Sequence, residues 1–240
     1  MRKNKKRKNF IAMSDGTLIE APRGIRLTDR VTRHKNIVYV ERTGGGLFYL
    51  YTDRGWKILT KTVRNYFVGE KSLSMPEFYD DTGYVMFNKS KDFGKYRLMD
   101  CETGKEICCS EEIFKGMEKD HSNSCFITKD WKKNKYVYCV IGPNGEILYQ
   151  TEGKLTFKTE KSISGIYFIR ENKPGTMKEG LLRVFKGKIV RVFDNKYDRI
   201  SIRETVVDRN GNLHTPSIEV ENEGVIQLYD MNGVEIKIAK

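Results

Sequence analysis

The chain has 240 residues, 38% of them hydrophobic, with 13 Tyr, 12 Phe and a net charge of +12. That apolar content can fill a core, which excludes a wholly disordered chain, and the longest apolar run, Tyr136 to Ile141, is strand-sized rather than bilayer-sized. The charge is lopsided: residues 1–42 hold twelve Lys or Arg against four acids, so +8 of the +12 lies there.

Residues 1–9 carry six cations and no apolar residue after Met1. Burial cannot repay the entropy of ordering such a segment, so a solvated, flexible basic arm is expected, followed by one β-repeat domain over residues 10–240. Phe10 to Met13 is cut short by Ser14 and Asp15, too soon for the apolar region of a secretory leader. The expected location is therefore cytoplasmic, or inside a virion or other large complex, with no membrane partner.

From Phe10 onward the pattern is that of strands and turns. Ile37 to Val40, Leu47 to Tyr51, Tyr84 to Phe87, Tyr136 to Ile141, Ile166 to Ile169 and Leu181 to Phe185 are short runs rich in aromatic and β-branched residues. Gly follows Asp, Asn, Lys or a near neighbour of one at Gly16, Gly55, Gly83, Gly104, Gly145, Gly187, Gly211 and Gly233, spaced near about 21 residues or about twice that. The missing midpoints fall at Lys35-Asn36, Ser122-Asn123 and Ser164-Gly165, all with turn chemistry. Two hairpins per unit give four-stranded units of about 42 residues, roughly five in all. At most one short helix is expected, between Ser110 and Asp120, where Ser110, Glu111 and Glu112 could cap its positive end.

Asp208 to Gly211 and Asp230 to Gly233 share the form Asp-x-Asn-Gly, each preceded by strand residues. With Tyr79 to Met86, these segments resemble WG-type repeats and the blades of β-propellers, and the resemblance implies an all-β fold of antiparallel hairpin repeats, a small propeller of about five blades. Trp56 follows Gly55, the reverse of the Trp-Gly order, so the resemblance carries over no functional residue.

No constellation required for catalysis stands out. His34, His121 and His214 are far apart and near turns, and Asp80/Asp81 and Glu111/Glu112 are adjacent pairs whose side chains diverge. The run Gly44-Gly45-Gly46 lacks the Lys and Ser or Thr of a nucleotide loop and is expected to be a flexible hairpin loop. Cys101, Cys108, Cys109, Cys125 and Cys139 have no metal-ligand spacing and fit small, reduced strand residues. No cofactor or metal is expected, and the chain is not expected to be an enzyme.

Charge carries the functional expectation. Arg2, Lys3, Lys5, Lys6, Arg7, Lys8, Arg23, Arg26, Arg30, Arg33 and Lys35 would attract a polyanion by displacing its counterions. A second candidate is Trp131, Lys132, Lys133 and Lys135, continuing into Tyr136 and Tyr138, where cations and aromatics alternate as phosphate contact and base stacking require. The competing structural account puts these tyrosines in the core and the lysines in a solvated loop. The expected protein is a non-catalytic binding module docking on nucleic acid or an acidic protein surface. The alternatives are a structural component of a larger assembly and a lectin-like binder using Trp56 and Trp131.

Overall fold

The structure, a computed structural model, describes residues 9–12, 16–22, 24–25, 31–42, 45–52, 54–63, 77–79, 83–88, 94–116, 124–159, 163, 165–203, 206–207, 210, 213–214 and 216–237. They divide between two compact units, residues 1–109 and 110–240.

In the first unit a hairpin of β1 (Phe10–Ala12) and β2 (Leu18–Glu20) precedes two four-stranded antiparallel meanders. The first meander is β3 (Val31–His34), β4 (Ile37–Arg42), β5 (Gly45–Thr52) and β6 (Gly55–Val63). The second is β7 (Glu77–Tyr79), β8 (Tyr84–Asn88), β9 (Tyr96–Asp100) and β10 (Glu106–Ser110).

The second unit continues the pattern. One meander runs β11 (Glu112–Gly116), β12 (Cys125–Lys132), β13 (Lys135–Ile141), β14 (Ile147–Thr151), and the next β15 (Lys154–Phe157), β16 (Ile166–Asn172), β17 (Glu179–Phe185), β18 (Lys188–Tyr197). In the last sheet β19 (Arg199–Arg203) pairs with β22 (Ser217–Asn222), with the hairpin of β20 (Val206–Val207) and β21 (Leu213–His214) inserted between them in sequence. β23 (Val225–Tyr229) completes this three-stranded sheet, and after the turn at Asp230 to Gly233 an isolated bridge joins Tyr229 to Glu235. The fold class is all-β: among the described residues there are four four-stranded antiparallel meanders of the blade type, one three-stranded sheet and two short hairpins, with no helix.

The turns explain the rhythm. Gly16, Gly55, Gly83, Gly104, Gly145, Gly187 and Gly233 all have φ between 68° and 91°, the left-handed region that side chains disfavour, while Gly211 lies outside the described residues. The Asp-led turns add a side-chain lock. Asp230 Oδ1 accepts from the amides of Asn232 (2.8 Å) and Val234 (2.9 Å), and Asp100 Oδ1 accepts from those of Glu102 (2.7 Å) and Thr103 (3.0 Å).

Strand alternation sorts the core into layers. Ile37 and Tyr39 on β4 face Val85, Phe87 and Met99 of the next meander, whereas Val38 and Val40 face Ile25 and Ile11. The Tyr39, Phe48 and Phe87 rings stand in sequence with centroids 4.9 Å apart, worth about 0.5–1.5 kcal/mol per contact beyond area burial. In the second unit Ile127, Tyr138 and Val140 pack on Leu155, Tyr167 and Leu182. The opposite face of that middle sheet, with Phe168, Leu181 and Phe193, packs on Ile200, Ile218 and Val220. Each unit is thus a stack of sheets whose inner strands are buried on both sides.

Two sequence expectations are corrected. The segment between Ser110 and Asp120, read as the one place a short helix could form, is a strand where the residues are described: Glu112–Gly116 is β11, paired along its whole length with β12. Ser110 and Glu111 serve the sheet and cap no helix: the Ser110 hydroxyl donates to the Lys129 carbonyl (2.9 Å), and Glu111 accepts from the Trp131 amide (3.1 Å). Local capping chemistry lost to a ready-made strand edge.

The glycine run is the second correction. Gly45 and Gly46 belong to β5, opposite Arg42 and Glu41, and the glycine at 46 makes room for a ring: a Cβ there would lie 2.3 Å from the Tyr39 hydroxyl. Tyr39 is 2% exposed and cannot swing away. Gly46→Ala is expected to destabilise the first unit by about 1–3 kcal/mol through overpacking, and Tyr39→Phe in the same chain to return part of that loss, measured by urea unfolding.

Candidate functional site

Of the expected basic residues, Arg2, Lys3, Lys5, Lys6, Arg7, Lys8, Arg23, Arg26 and Arg30 lie outside the described residues. Arg33 is exposed on β3, and Lys35 sits in the β3–β4 turn at φ 47°, its ammonium 4.0 Å from Glu102. Both belong to the first unit. The second unit holds the other candidate set.

That set forms a hairpin tip. Trp131 and Lys132 end β12, Lys133 and Asn134 make the turn with φ of 49° and 64°, and Lys135 opens β13, so both turn residues are left-handed as a two-residue hairpin of this twist requires. Trp131 lies directly across from Tyr136, and their rings meet edge to face at 4.7 Å. Both are open to solvent, 51% and 45% exposed, while Tyr138, two residues deeper on the same face, is 7% exposed. The core account of the tyrosines therefore holds for Tyr138 and fails for Tyr136, because the sheet face that Tyr138 uses runs past the end of its neighbour.

Cations flank this pair in the strands and turn, and one of them lies over a ring. Lys132 and Lys133 are exposed and make no ion pair among the described residues, and Lys135 pairs with Glu152. The Lys129 ammonium lies 4.2 Å from the centre of the Tyr136 ring and donates to Glu112 at 2.6 Å, a hydrogen bond that raises its pKa above the ordinary lysine value. Lys129 is an aromatic-face cation that the sequence pattern did not single out. Its signal was the alternation that places 129, 131, 136 and 138 on one side.

Below the tip, on that side, is a cleft of about 650 Å³. Its lining includes Tyr136, Tyr138, Lys154, Arg170 and Asn172, together with the turn from Lys173 to Met177. That turn is fixed by the Lys173 amide donating to the Lys178 carbonyl (3.0 Å) and by Lys178 reaching Asp198 (2.7 Å). Each acid of the cleft has its own cation: Glu152 has Lys135, Asp198 has Lys178, and Glu179 has both Arg170 (2.9 Å) and Lys158 (3.2 Å). Lys154 and Lys173 have no carboxylate partner among the described residues, so the lining is net positive. No signal in the sequence joins Lys154, Asn172 and Lys173 to Trp131, since the sheet stack alone brings them together.

The other features have structural uses. Trp56 donates its indole N–H to the Glu20 carbonyl (2.6 Å) and stacks near Tyr51, tying the β1–β2 hairpin to β6. The five cysteines form no disulfide, and burial pushes the Cys125 thiol far above its ordinary pKa, which favours the neutral thiol over the nucleophilic thiolate. His121 lies outside the described residues, as do the side chains of His34 and His214. Among the described residues no group of His, Cys, Asp or Glu could hold a metal ion, and no helix is long and apolar enough to cross a membrane.

No protein-family model and no curated protein matches the chain. Among solved structures it is similar to Kluyveromyces lactis Hsv2, with 11% identity over 87% of this chain and 62% of that one at a TM-score of 0.32. A europium-containing methanol dehydrogenase matches at 10% identity, 86% and 50% coverage and a TM-score of 0.30, and Kuenenia stuttgartiensis hydrazine synthase at 9%, 84% and 62% coverage and 0.28. The chain spans less than two thirds of the length of each. At these scores the fold class rests on the chain's own strand order and sheet stacking.

Proposed function

We propose that the chain is a non-catalytic binding module whose β12–β13 hairpin tip, with the basic segment of residues 2–35, docks onto an acidic partner, nucleic acid in the first place. The observation that carries this is the solvent-facing Trp131–Tyr136 pair, with Lys129 over the Tyr136 ring and Lys132, Lys133 and Lys135 beside it in the hairpin turn. A core explains buried rings, and solubility explains scattered lysines. Neither explains two exposed rings held together at the end of a hairpin among cations.

Backbone conformation supports the same reading. Among the described residues, three of the five non-glycine residues with positive φ are lysines, Lys35, Lys133 and Lys186, each in a hairpin turn. Asn or Gly is the low-strain choice there, and a lysine costs about 1 kcal/mol, so the charge is kept at the tips against local preference.

The test is a salt series. The intact chain should bind generic RNA and DNA with log K falling linearly in log salt concentration, and Lys132→Gln, Lys133→Gln and Lys135→Gln together should reduce the slope by about 0.7–0.9 for each phosphate no longer neutralised. Removing residues 1–8 should reduce it further. A flat salt response, or concentration-dependent assembly in light scattering without nucleic-acid affinity, would replace this reading with the assembly component.

A further inference from the structure

Resting on that reading, we infer that the partner is single-stranded nucleic acid, with one unstacked base held in the cleft beneath the hairpin tip and the neighbouring base on Trp131. The cleft volume of about 650 Å³ falls within the about 300–1,000 Å³ typical of ligand sites. Its composition is divided as a nucleotide requires. Among its lining residues Tyr136 offers exposed aromatic surface, and Lys154 and Lys173 offer cations without a carboxylate partner among the described residues.

Asn172 supplies the third element. Its carboxamide lines the cleft, half-buried and with no hydrogen-bond partner among the described residues, so it presents a donor and an acceptor to whatever enters. A base edge offers the matching pair. Stacking on an aromatic side chain with hydrogen bonds to the base edge is how proteins read single strands.

Ring geometry disfavours a duplex. An edge-to-face contact covers one face of one ring, and Lys129 covers one face of Tyr136, which leaves at least one face of Trp131 for a further ring. In a duplex every base face is already stacked, and the hairpin would meet only phosphates. A strand with unstacked bases can run from Trp131 past Tyr136 into the cleft, while Lys132, Lys133, Lys154 and Lys173 follow its phosphates. The carboxylates of the cleft do not oppose this, because each is already held by a cation of the protein.

The experiment uses the intact chain with fluorescein-labelled oligonucleotides of about 16 nucleotides: oligo(dT), oligo(U) and a mixed-sequence duplex, followed by anisotropy. Single strands are expected to bind at least about tenfold more tightly than the duplex, and Trp131→Ala and Tyr136→Ala to weaken single-strand binding about 5- to 100-fold each while leaving the salt slope unchanged. Lys154→Gln with Lys173→Gln should lower the slope and leave ring stacking intact. In a Trp56→Phe chain, where Trp131 is the only indole, its fluorescence should be quenched on saturation with oligo(dT). Both aromatic residues are largely exposed, so the variants are checked for unchanged circular dichroism, and the fluorescence readout needs no substitution at the site. Equal affinity for duplex and single strand, or an unquenched Trp131 in a bound complex, overturns the single-strand inference and leaves the polyanion reading standing. No salt-dependent binding to any of the three nucleic acids overturns both. Preference between oligo(dT) and oligo(U) distinguishes DNA from RNA as the source of the strand.

Discussion

Glu179→Ala is expected to lower the stability of the second unit by about 3–5 kcal/mol, the cost of removing one partner from a buried ionic cluster. Glu179 is 7% exposed at the start of β17. One carboxylate oxygen accepts from Arg170 at 2.9 Å; the other accepts from Lys158 at 3.2 Å and from the backbone amide of Ile200 at 2.9 Å. The residue therefore joins two cations of its own meander to the first strand of the next, and alanine would strand an amide and two charges at once.

The variant also has a pH signature. Burial already pulls the Lys158 pKa below the ordinary lysine value of 10.5, and the Glu179 charge opposes that pull. With Glu179 gone, Lys158 should shed its proton at lower pH in the folded state than in the unfolded chain. A lysine with a depressed folded pKa penalises folding fully below that pKa, and the penalty fades as pH rises towards 10.5. Urea unfolding at rising pH should show Glu179→Ala recovering part of its deficit against the parent. A loss under about 1 kcal/mol, typical of solvated pairs, would mean that the cluster is hydrated.

The second large effect is expected at Glu171. Its carboxylate is 2% exposed and accepts from the Tyr149 hydroxyl at 2.9 Å and from Arg191 at 2.6 Å, and Arg191 also donates to the Tyr149 oxygen. Burial by itself would raise the Glu171 pKa, but hydrogen bonds from Thr151, Arg191 and Tyr149 together outweigh it and hold the group below the ordinary glutamate value. A carboxylate with a depressed folded pKa contributes stability that is present above the unfolded value and lost as pH falls through the folded one. Arg191→Ala should cost about 2–4 kcal/mol at neutral pH, less than a fully buried pair because the guanidinium is partly exposed. Glu171→Gln should remove the share of acid sensitivity that lies below the ordinary glutamate range, measured by urea unfolding between neutral and acid pH.

How far the sequence can be read depends on where a strand lies in its sheet. The six runs legible as strands became β4, β5, β8, β13, β16 and β17, and every one is the second or third strand of a four-stranded meander. Such strands are covered on both faces, so burial demands an unbroken apolar run and the sequence shows it. The outer strands carry mixed residues: β11 is Glu-Ile-Phe-Lys-Gly and β18 alternates exposed and half-buried positions along most of its length. Their strand character comes from the neighbour whose edge they complete. For that reason Ser110 to Glu112 looked like a helix start, and local preference lost to a hydrogen-bonding partner about twenty residues away.

The same division applies to the candidate site. Trp131, Lys132, Lys133 and Lys135 are contiguous, so charge and aromatic content marked them without any fold. Whether the rings faced water or core depended on where the neighbouring sheet ends, which put Tyr138 inside and Tyr136 outside.

By itself the sequence determined the β-class, the meander period and most of the turns, because positive-φ corners and doubly buried strands are local requirements that each residue meets on its own. Only the tertiary structure decided which charges remain for a partner. Glu152, Glu179 and Asp198 are spoken for by cations from other turns and strands, whereas Lys154 and Lys173 have no carboxylate partner among the described residues, and Asn172 and Tyr136 come to line the same cleft. Ion pairing and cleft formation depend on distances between residues remote in sequence, and stacking one sheet on the next sets those distances.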